Sequence, residues 1–137
     1  MASVLIIDQD AHVRGLIRQV LERAGHAVTE AQDASDVTNQ LAMNTPDIIV
    51  LDCLLGGPGL GLDLLRELRA TPRTQEVPVV VTTGIPEPTI DLRLRNCGAS
   101  AFLLKPFSPR DLVQAVALAL ELGAPQPKPA RNFVSTV

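Results

Sequence analysis

Short apolar runs alternate with longer stretches of helical periodicity along this 137-residue chain, and this alternation constrains the fold more than any other feature. A run that is apolar throughout predicts a strand covered on both faces, because a strand with one face in water would alternate apolar and polar residues. The predicted strands are Ser3–Ile7, His26–Glu30, Asp47–Leu51, Val77–Thr82 and Ala101–Leu104.

Apolar residues at intervals of three and four positions predict a helix after four of the strands, and Pro86 and Pro88 limit where the helix after the fourth strand can begin. The predicted helices span residues 13–24, 33–44, 62–68, 87–96 and 109–122. The last of them is the best marked, because Ser108 can cap it, Pro109 suits its first turn and Gly123 can end it. Strands that alternate with helices predict an α/β domain, with a doubly wound parallel sheet covered by helices on both faces.

Composition limits the classes of protein that the chain can belong to. The net charge of -3 argues against direct nucleic-acid binding, which normally needs clustered Lys and Arg. No apolar run is long enough for a membrane span, and the N-terminus lacks the basic region of a signal peptide. Cys53 and Cys97 have no metal or redox spacing, so we expect them to be reduced. These features predict a cytoplasmic protein that does not bind membranes.

The C-terminal residues differ in composition from the rest. Pro125, Pro127 and Pro129 exclude regular structure there. We therefore expect one domain over residues 1–123 and a proline-rich tail or linker over residues 124–137.

Polar residues follow four of the predicted strands. If the first, third, fourth and fifth strands are neighbours, these residues converge at one edge of the sheet, where α/β proteins bind ligands. They are Asp8, Gln9 and Asp10, then Asp52, then Thr83 and Gly84, and finally Lys105 and Pro106.

This set of side chains suits phosphoryl transfer. Carboxylates roughly 5 Å apart repel by roughly 3 kcal/mol at an effective dielectric of about 20, so they need a cation between them. Hard oxygen ligands favour Mg²⁺, which also binds phosphate oxygens. An Asp carboxylate can attack a phosphoryl group, while Lys and Thr can bind the phosphate oxygens.

Four motifs at the strand ends, in this order, resemble the receiver domain of bacterial response regulators. They read VLIIDQDAHVR, DIIVLDCLL, PVVVTTG and GASAFLLKPFSPRDL, and the resemblance covers about residues 3–122. The resemblance implies a flavodoxin-like sheet with strand order 2-1-3-4-5. It also implies a two-component signalling switch and not an enzyme with a separate substrate. The implied partners are a histidine kinase or phosphotransfer protein, a downstream effector, and a second copy in a homodimer that forms on phosphorylation.

The resemblance implies a role for each residue that matches a motif. Asp52 matches the phosphoacceptor, and Asp8 and the backbone carbonyl of Leu54 match positions that bind Mg²⁺. Lys105 matches the lysine that binds the phosphate. Thr83 and Phe102 match the switch residues, which move on activation together with the face formed by the fourth helix, the fifth strand and the fifth helix.

Three positions depart from the family pattern. Gln9 stands where the family usually has a metal-binding acid, so Mg²⁺ binding should be weak, and Gln9 or Asp10 is left as the remaining ligand. The loop after Asp52 is one residue longer than usual and has Gly56 in place of a proline. Pro86 and Pro88 lie in the loop after the fourth strand.

Two alternatives to a phosphorylated receiver follow from these observations. Because Gln9 is neutral, the chain could be a pseudo-receiver, an interaction module that works without phosphorylation. A flavodoxin-like nucleotide binder is disfavoured, because no GxGxxG or GxxxxGK[ST] loop is present.

Overall fold

The computed structural model describes residues 1–55, 60–84 and 98–124, and within them the chain forms five strands and four helices. The strands are β1 (Ser3–Ile7), β2 (Ala27–Ala31), β3 (Ile48–Asp52), β4 (Val79–Thr83) and β5 (Ala101–Leu104). The helices are α1 (Ala11–Arg23), α2 (Ala34–Met43), α3 (Leu60–Ala70) and a helix spanning Pro109–Leu122, which we call the C-terminal helix. No helix in these three ranges is long and apolar enough to cross a membrane.

All five strands lie parallel in one sheet of order β2-β1-β3-β4-β5. This confirms the predicted fold class and the strand order that the resemblance implied. The chain leaves β1 toward one edge of the sheet and returns through β3 toward the other edge. The carboxyl ends of β1 and β3 therefore flank the crevice at which this class of sheet binds ligands.

The two faces of the sheet bury separate apolar clusters, as a doubly wound sheet requires. One cluster joins the sheet to α2 and α3 through residues such as Val37 and Leu65. The other joins it to α1 and the C-terminal helix through residues such as Leu21 and Val116. Burial of each large apolar side chain stabilises the folded state by roughly 1.5–3 kcal/mol, so the packing on both faces stabilises the sheet and its strand ends.

Side-chain caps fix where the helices start. The Asp10 carboxylate accepts hydrogen bonds from the backbone N–H groups of His12 and Val13 at the start of α1. Ser108 and Asp111 form a reciprocal capping box at the start of the C-terminal helix, as the sequence predicts. That helix ends at Gly123, whose φ of 71° suits a residue without a side chain.

Three strands begin one or two residues later than predicted, because the residues before them make turn or side-chain hydrogen bonds. Asp47 lies outside β3, and its carboxylate accepts hydrogen bonds from the backbone N–H and hydroxyl of Ser3. Val77 donates its N–H to Thr74 in a turn, and β4 begins only after Pro78.

Some predicted features lie outside the described residues. These are the glycine-rich loop at residues 56–59, the helix predicted over residues 87–96, Cys97 and nearly all of the predicted tail.

Candidate functional site

The strand register brings two carboxylates together at the carboxyl end of the sheet. Ile7 pairs with Leu51 in the adjacent strand, so the residues that follow them, Asp8 and Asp52, lie side by side. The Asp8 side chain is buried, with 2% of the residue exposed, whereas Asp52 is half-buried. One strand further along, Asp52 pairs with Thr82 of β4.

Lys105 lies beside both carboxylates. Its Nζ is 3.3 Å from Oδ2 of Asp8 and 3.5 Å from Oδ1 of Asp52, although 97 residues separate Lys105 from Asp8 in the chain. A backbone hydrogen bond fixes the position of Lys105 relative to β4, because the Lys105 N–H donates to the carbonyl of Thr83 at 2.7 Å. The peptide bond between Lys105 and Pro106 is cis. One ammonium group thus offsets the repulsion between two acids.

Two backbone N–H groups orient the carboxylates. The N–H of Asp10 donates to Oδ1 of Asp8 at 2.9 Å, and the N–H of Leu54 donates to Oδ1 of Asp52 at 3.2 Å. Each bond spans two residues, so each aspartate closes the turn that follows its own strand. The strand ends therefore present these two side chains in fixed positions.

The surroundings of Asp52 favour the protonated, neutral form of its carboxyl group more than water does. Burial raises the pKa of the Asp52 carboxyl above its ordinary value, and the neighbouring Asp8 carboxylate raises the pKa further. The Leu54 N–H and the Lys105 ammonium act in the opposite direction but do not cancel these effects. The ionised carboxylate is therefore held in an unfavourable environment that a nearby cation would relieve.

The model of the response regulator receiver domain matches residues 4–117, which contain all three charged residues described above. The chain belongs to the response regulator receiver family.

Individual relatives agree with this assignment. The receiver is 33% identical over 122 residues to the phosphate regulon transcriptional regulatory protein PhoB of Escherichia coli (strain K12), covering 89% of this chain and 53% of PhoB. It thus spans about half the length of such relatives. A protein of Chloroflexus aurantiacus, provisionally named a response regulator, has a crystal structure with a TM-score of 0.81 and 31% identity, covering 88% of this chain and 98% of that one. The chemotaxis regulator CheY4 of Vibrio cholerae shares the fold, with a TM-score of 0.79 and 24% identity over 85% of this chain and 97% of that one.

Receiver domains generally bind Mg²⁺ at the phosphorylation site, and the side chains present here fit a weak site of that kind. Two adjacent carboxylates are a donor set that suits Mg²⁺, which keeps several waters and needs few protein ligands. Within residues 1–55, 60–84 and 98–124, however, no group of three acidic, His or Cys side chains comes close enough to hold a metal. The structure thus gives this receiver two candidate acidic ligands, Asp8 and Asp52.

The remaining predicted ligands are Asp10, Gln9 and the backbone carbonyl of Leu54. Asp10 caps α1, where its Oδ1 accepts from His12 N–H at 2.8 Å and from Val13 N–H at 3.3 Å. Gln9 is exposed, and Leu54 is 40% exposed at the rim of the site. Asp10 is therefore used as a helix cap, the more ordinary of the two roles that its position allows.

The two predicted switch residues lie on different strands of the sheet. Thr83 is buried at the last position of β4, and its carbonyl accepts the Lys105 N–H bond. Phe102 is partly buried on β5 and packs against the apolar cluster on the α2 and α3 side of the sheet. Thr83 therefore lies on the strand next to that of Asp52 and Phe102 lies one strand further away, and their movement on activation stays a prediction.

Sequence reasoning missed Arg14, which supports the loop that carries Asp8. Its Nη1 donates to the backbone carbonyl of Asp8 at 2.6 Å, and its Nε pairs with Glu30 of β2 at 3.0 Å. Arg18 also pairs with Glu30, and these arginines lower the pKa of the Glu30 carboxyl despite its partial burial. The spacing of Arg14 and Arg18 predicts that both lie on the same side of a helix. Only the packing of α1 beside β2 brings them to Glu30.

Proposed function

We propose that this receiver accepts a phosphoryl group on Asp52 from a histidine kinase or a phosphotransfer protein. The observation that carries this proposal is the position of Lys105, whose ammonium lies within 3.5 Å of carboxylate oxygens of both Asp8 and Asp52. A charge so placed can bind an oxygen of a phosphoryl group joined to Asp52. The family assignment supports the same reaction class.

In the proposed reaction, an oxygen of Asp52 forms a bond to phosphorus as the donor's bond to phosphorus breaks. The electron pair of the broken bond leaves with the donor, on a histidine nitrogen or on the acetate of acetyl phosphate. Lys105 offsets the negative charge of the incoming group. A Mg²⁺ ion held by Asp8, Asp52 and the Leu54 carbonyl would supply further positive charge for the phosphate oxygens.

The proposed consequence of phosphorylation is a change in the surface next to the site. Thr83 would move its hydroxyl toward the phosphoryl group, and Phe102 would follow by turning inward. The affected face includes β5 and the C-terminal helix, together with the helix predicted over residues 87–96. This face would bind a downstream effector or a second copy of the receiver, without direct contact to nucleic acid, and the protein would act in the cytoplasm.

The test is incubation with Mg²⁺ and acetyl phosphate, followed by intact-mass measurement. We expect the mass of one phosphoryl group on the wild type and none on Asp52→Asn. Asp63→Asn is a matched control, because Asp63 lies on the exposed side of α3. A phosphoryl group that persists on Asp52→Asn would assign the reaction to another residue.

Gln9 favours a second candidate function, a pseudo-receiver that works without phosphorylation. A neutral amide offers one carbonyl oxygen and no charge to the metal. We expect Gln9→Asp to tighten Mg²⁺ binding and to speed phosphorylation. The expected gain in affinity is roughly 10- to 100-fold, because loss of a residue that only supports a metal ligand already lowers metal affinity by that factor. If Gln9→Asp takes up the phosphoryl group and the wild type does not, even at high Mg²⁺, the pseudo-receiver is the correct function.

A further inference from the structure

Thr82 carries an unusual hydroxyl group. Its Oγ1 is the one buried side-chain nitrogen or oxygen, among the residues that the structure describes, that has no hydrogen-bond partner. Only 1% of the residue is exposed. Thr74, equally buried, shows the ordinary arrangement, because its hydroxyl donates to the Leu68 carbonyl at 2.6 Å. A buried polar group without a partner costs free energy and calls for an explanation.

A valine in place of Thr82 would not carry this cost. The three residues that precede Thr82 in β4 are all valine, and all are buried. Valine has nearly the same shape as threonine and would fill the same space without a polar atom. Packing alone therefore does not account for threonine at this position.

Thr82 lies in register with the proposed phosphoacceptor. It pairs with Asp52, and Val80, two residues earlier, packs in the same apolar cluster as Val50, two residues before Asp52. Because side chains alternate along a strand, Thr82 and Asp52 project from the same face of the sheet. Adjacent strands lie about 4.8 Å apart, so the two side chains are neighbours.

Asp52 has an oxygen that could accept this hydroxyl. Its Oδ1 receives the Leu54 N–H and lies beside Lys105, whereas its Oδ2 receives no hydrogen bond from the described parts of the chain. The unpaired donor, Thr82 Oγ1, and this acceptor, Asp52 Oδ2, thus lie on residues that are paired across adjacent strands.

We propose that the Thr82 hydroxyl is a hydrogen-bond donor of the phosphoacceptor site, and that it binds the Asp52 side chain when the phosphoryl group is attached. This inference rests on the proposed function of Asp52 and adds a residue to that site. The hydroxyl keeps its own proton throughout. Its unpaired state in the resting protein favours phosphorylation, because the cost of burying it is removed when the bond forms.

The test compares Thr82→Val with Thr82→Ser over a range of acetyl phosphate concentrations in the presence of Mg²⁺. We expect Thr82→Val to lower the maximal phosphorylation rate at Asp52 about 5- to 10-fold, the equivalent of one neutral hydrogen bond, with little change in the half-saturating donor concentration. Thr82→Ser should recover most of the rate. Without phosphodonor, Thr82→Val should unfold at the same or a higher urea concentration than the wild type.

Thr74→Val is the matched control. It removes a buried hydroxyl that is already bonded, so we expect a lower urea midpoint and an unchanged phosphorylation rate. A wild type that takes up no phosphoryl group on Asp52 overturns the proposed function and this inference together. If the wild type is phosphorylated and Thr82→Val reacts equally fast, only the inference is wrong. A Thr82→Val protein that is less stable, or a slow rate that Thr82→Ser does not restore, also overturns it, since the hydroxyl would then be a bonded or shape-filling group of the resting fold.

Discussion

Arg69 of α3 donates two hydrogen bonds to the carbonyl of Gly98, from Nε at 3.0 Å and from Nη2 at 2.7 Å. The same guanidinium donates from Nη1 to the carbonyl of Val77 at 2.6 Å and to that of Thr74 at 3.2 Å. Burial lowers the pKa of the Arg69 guanidinium, which nevertheless stays charged. One side chain therefore links the loop before β4 to the turn before β5. Thr83 is the last residue of β4, and Lys105 directly follows β5.

We expect Arg69→Met to lower the free energy of unfolding by about 2–3 kcal/mol, because several carbonyls lose a charged donor. Arg69→Lys should recover only part of this loss, since an ammonium cannot span the same acceptors. Urea unfolding measures both changes. Arg66→Met is the control, because Arg66 is exposed and makes only a surface pair with Asp63, so it should cost less than about 0.5 kcal/mol. Equal losses in the two methionine variants would show that Arg69 does not stabilise the fold in this way.

Gly61 in the first turn of α3 packs directly on the backbone at the end of β3. A Cβ atom at this position would lie 2.5 Å from the carbonyl oxygen of Asp52 and still closer to that of Cys53. We expect Gly61→Ala to lower the free energy of unfolding by about 1–3 kcal/mol through overpacking, and to slow phosphorylation by shifting Asp52.

Gly15→Ala is the matched control for this change. Gly15 lies within α1, and a Cβ there would meet nothing within 4 Å. It should therefore raise the free energy of unfolding by about 0.5–1 kcal/mol, as alanine does in a helix. A Gly61→Ala protein as stable as the wild type would show that α3 can move away from β3 at little cost.

The raised pKa of the Asp52 carboxyl predicts how stability depends on pH. The unfolded chain releases this proton at a lower pH than the folded protein, so the folded state binds more protons between the two pKa values. The free energy of unfolding therefore falls as the pH rises through that interval, and the loss persists above it. Asp52→Asn removes this contribution, so the variant should be more stable than the wild type at neutral pH.

The measurement is urea unfolding of wild type and Asp52→Asn from acid to neutral pH, with Asp63→Asn as the exposed control. We expect the advantage of Asp52→Asn to shrink toward acid pH, where Asp52 is protonated in both states. An advantage that does not change with pH would mean that the ionised carboxylate is not the cause.

Lys105 should stabilise the metal-free receiver, since it offsets the charge of a buried and a half-buried acid. We expect Lys105→Met to lower the free energy of unfolding at neutral pH by about 1 kcal/mol, a modest amount because the lysine side chain is 29% exposed. In the Lys105→Met background, Asp52→Asn should stabilise more than it does in the wild type. A double-mutant cycle measures this difference, and additive effects would mean that the two charges do not interact.

The sequence predicted that the acidic pair and the lysine lie together, because the carboxyl ends of parallel strands meet at one edge of the sheet. Asp8, Asp52 and Lys105 each follow an apolar run, and the strand order that the resemblance implied places those runs close together in the sheet. Capping of the C-terminal helix by Ser108 was equally local, since it depends on residues within one turn.

The resemblance gave Thr83 a switch role, but nothing in the sequence assigned a role to its neighbour Thr82. Thr82 and Thr83 are consecutive, and a shift of one residue in register exchanges the faces onto which they project. Only the pairing of Asp52 with Thr82 puts the Thr82 hydroxyl beside the acid. Sequence alone could not show that this hydroxyl lacks a partner, because its neighbours come from other strands.

By itself, the sequence determined the alternation of strands and helices, the parallel sheet and the acids and lysine at its edge. These features follow from local periodicity and from the direction in which each strand runs. Tertiary structure decided the contact of Arg14 with Glu30, the contact of Arg69 with the Gly98 carbonyl, and the isolation of the Thr82 hydroxyl. Each of these depends on the distance between atoms far apart in the chain, which is set by how helices and strands pack and not by the pattern of any one segment.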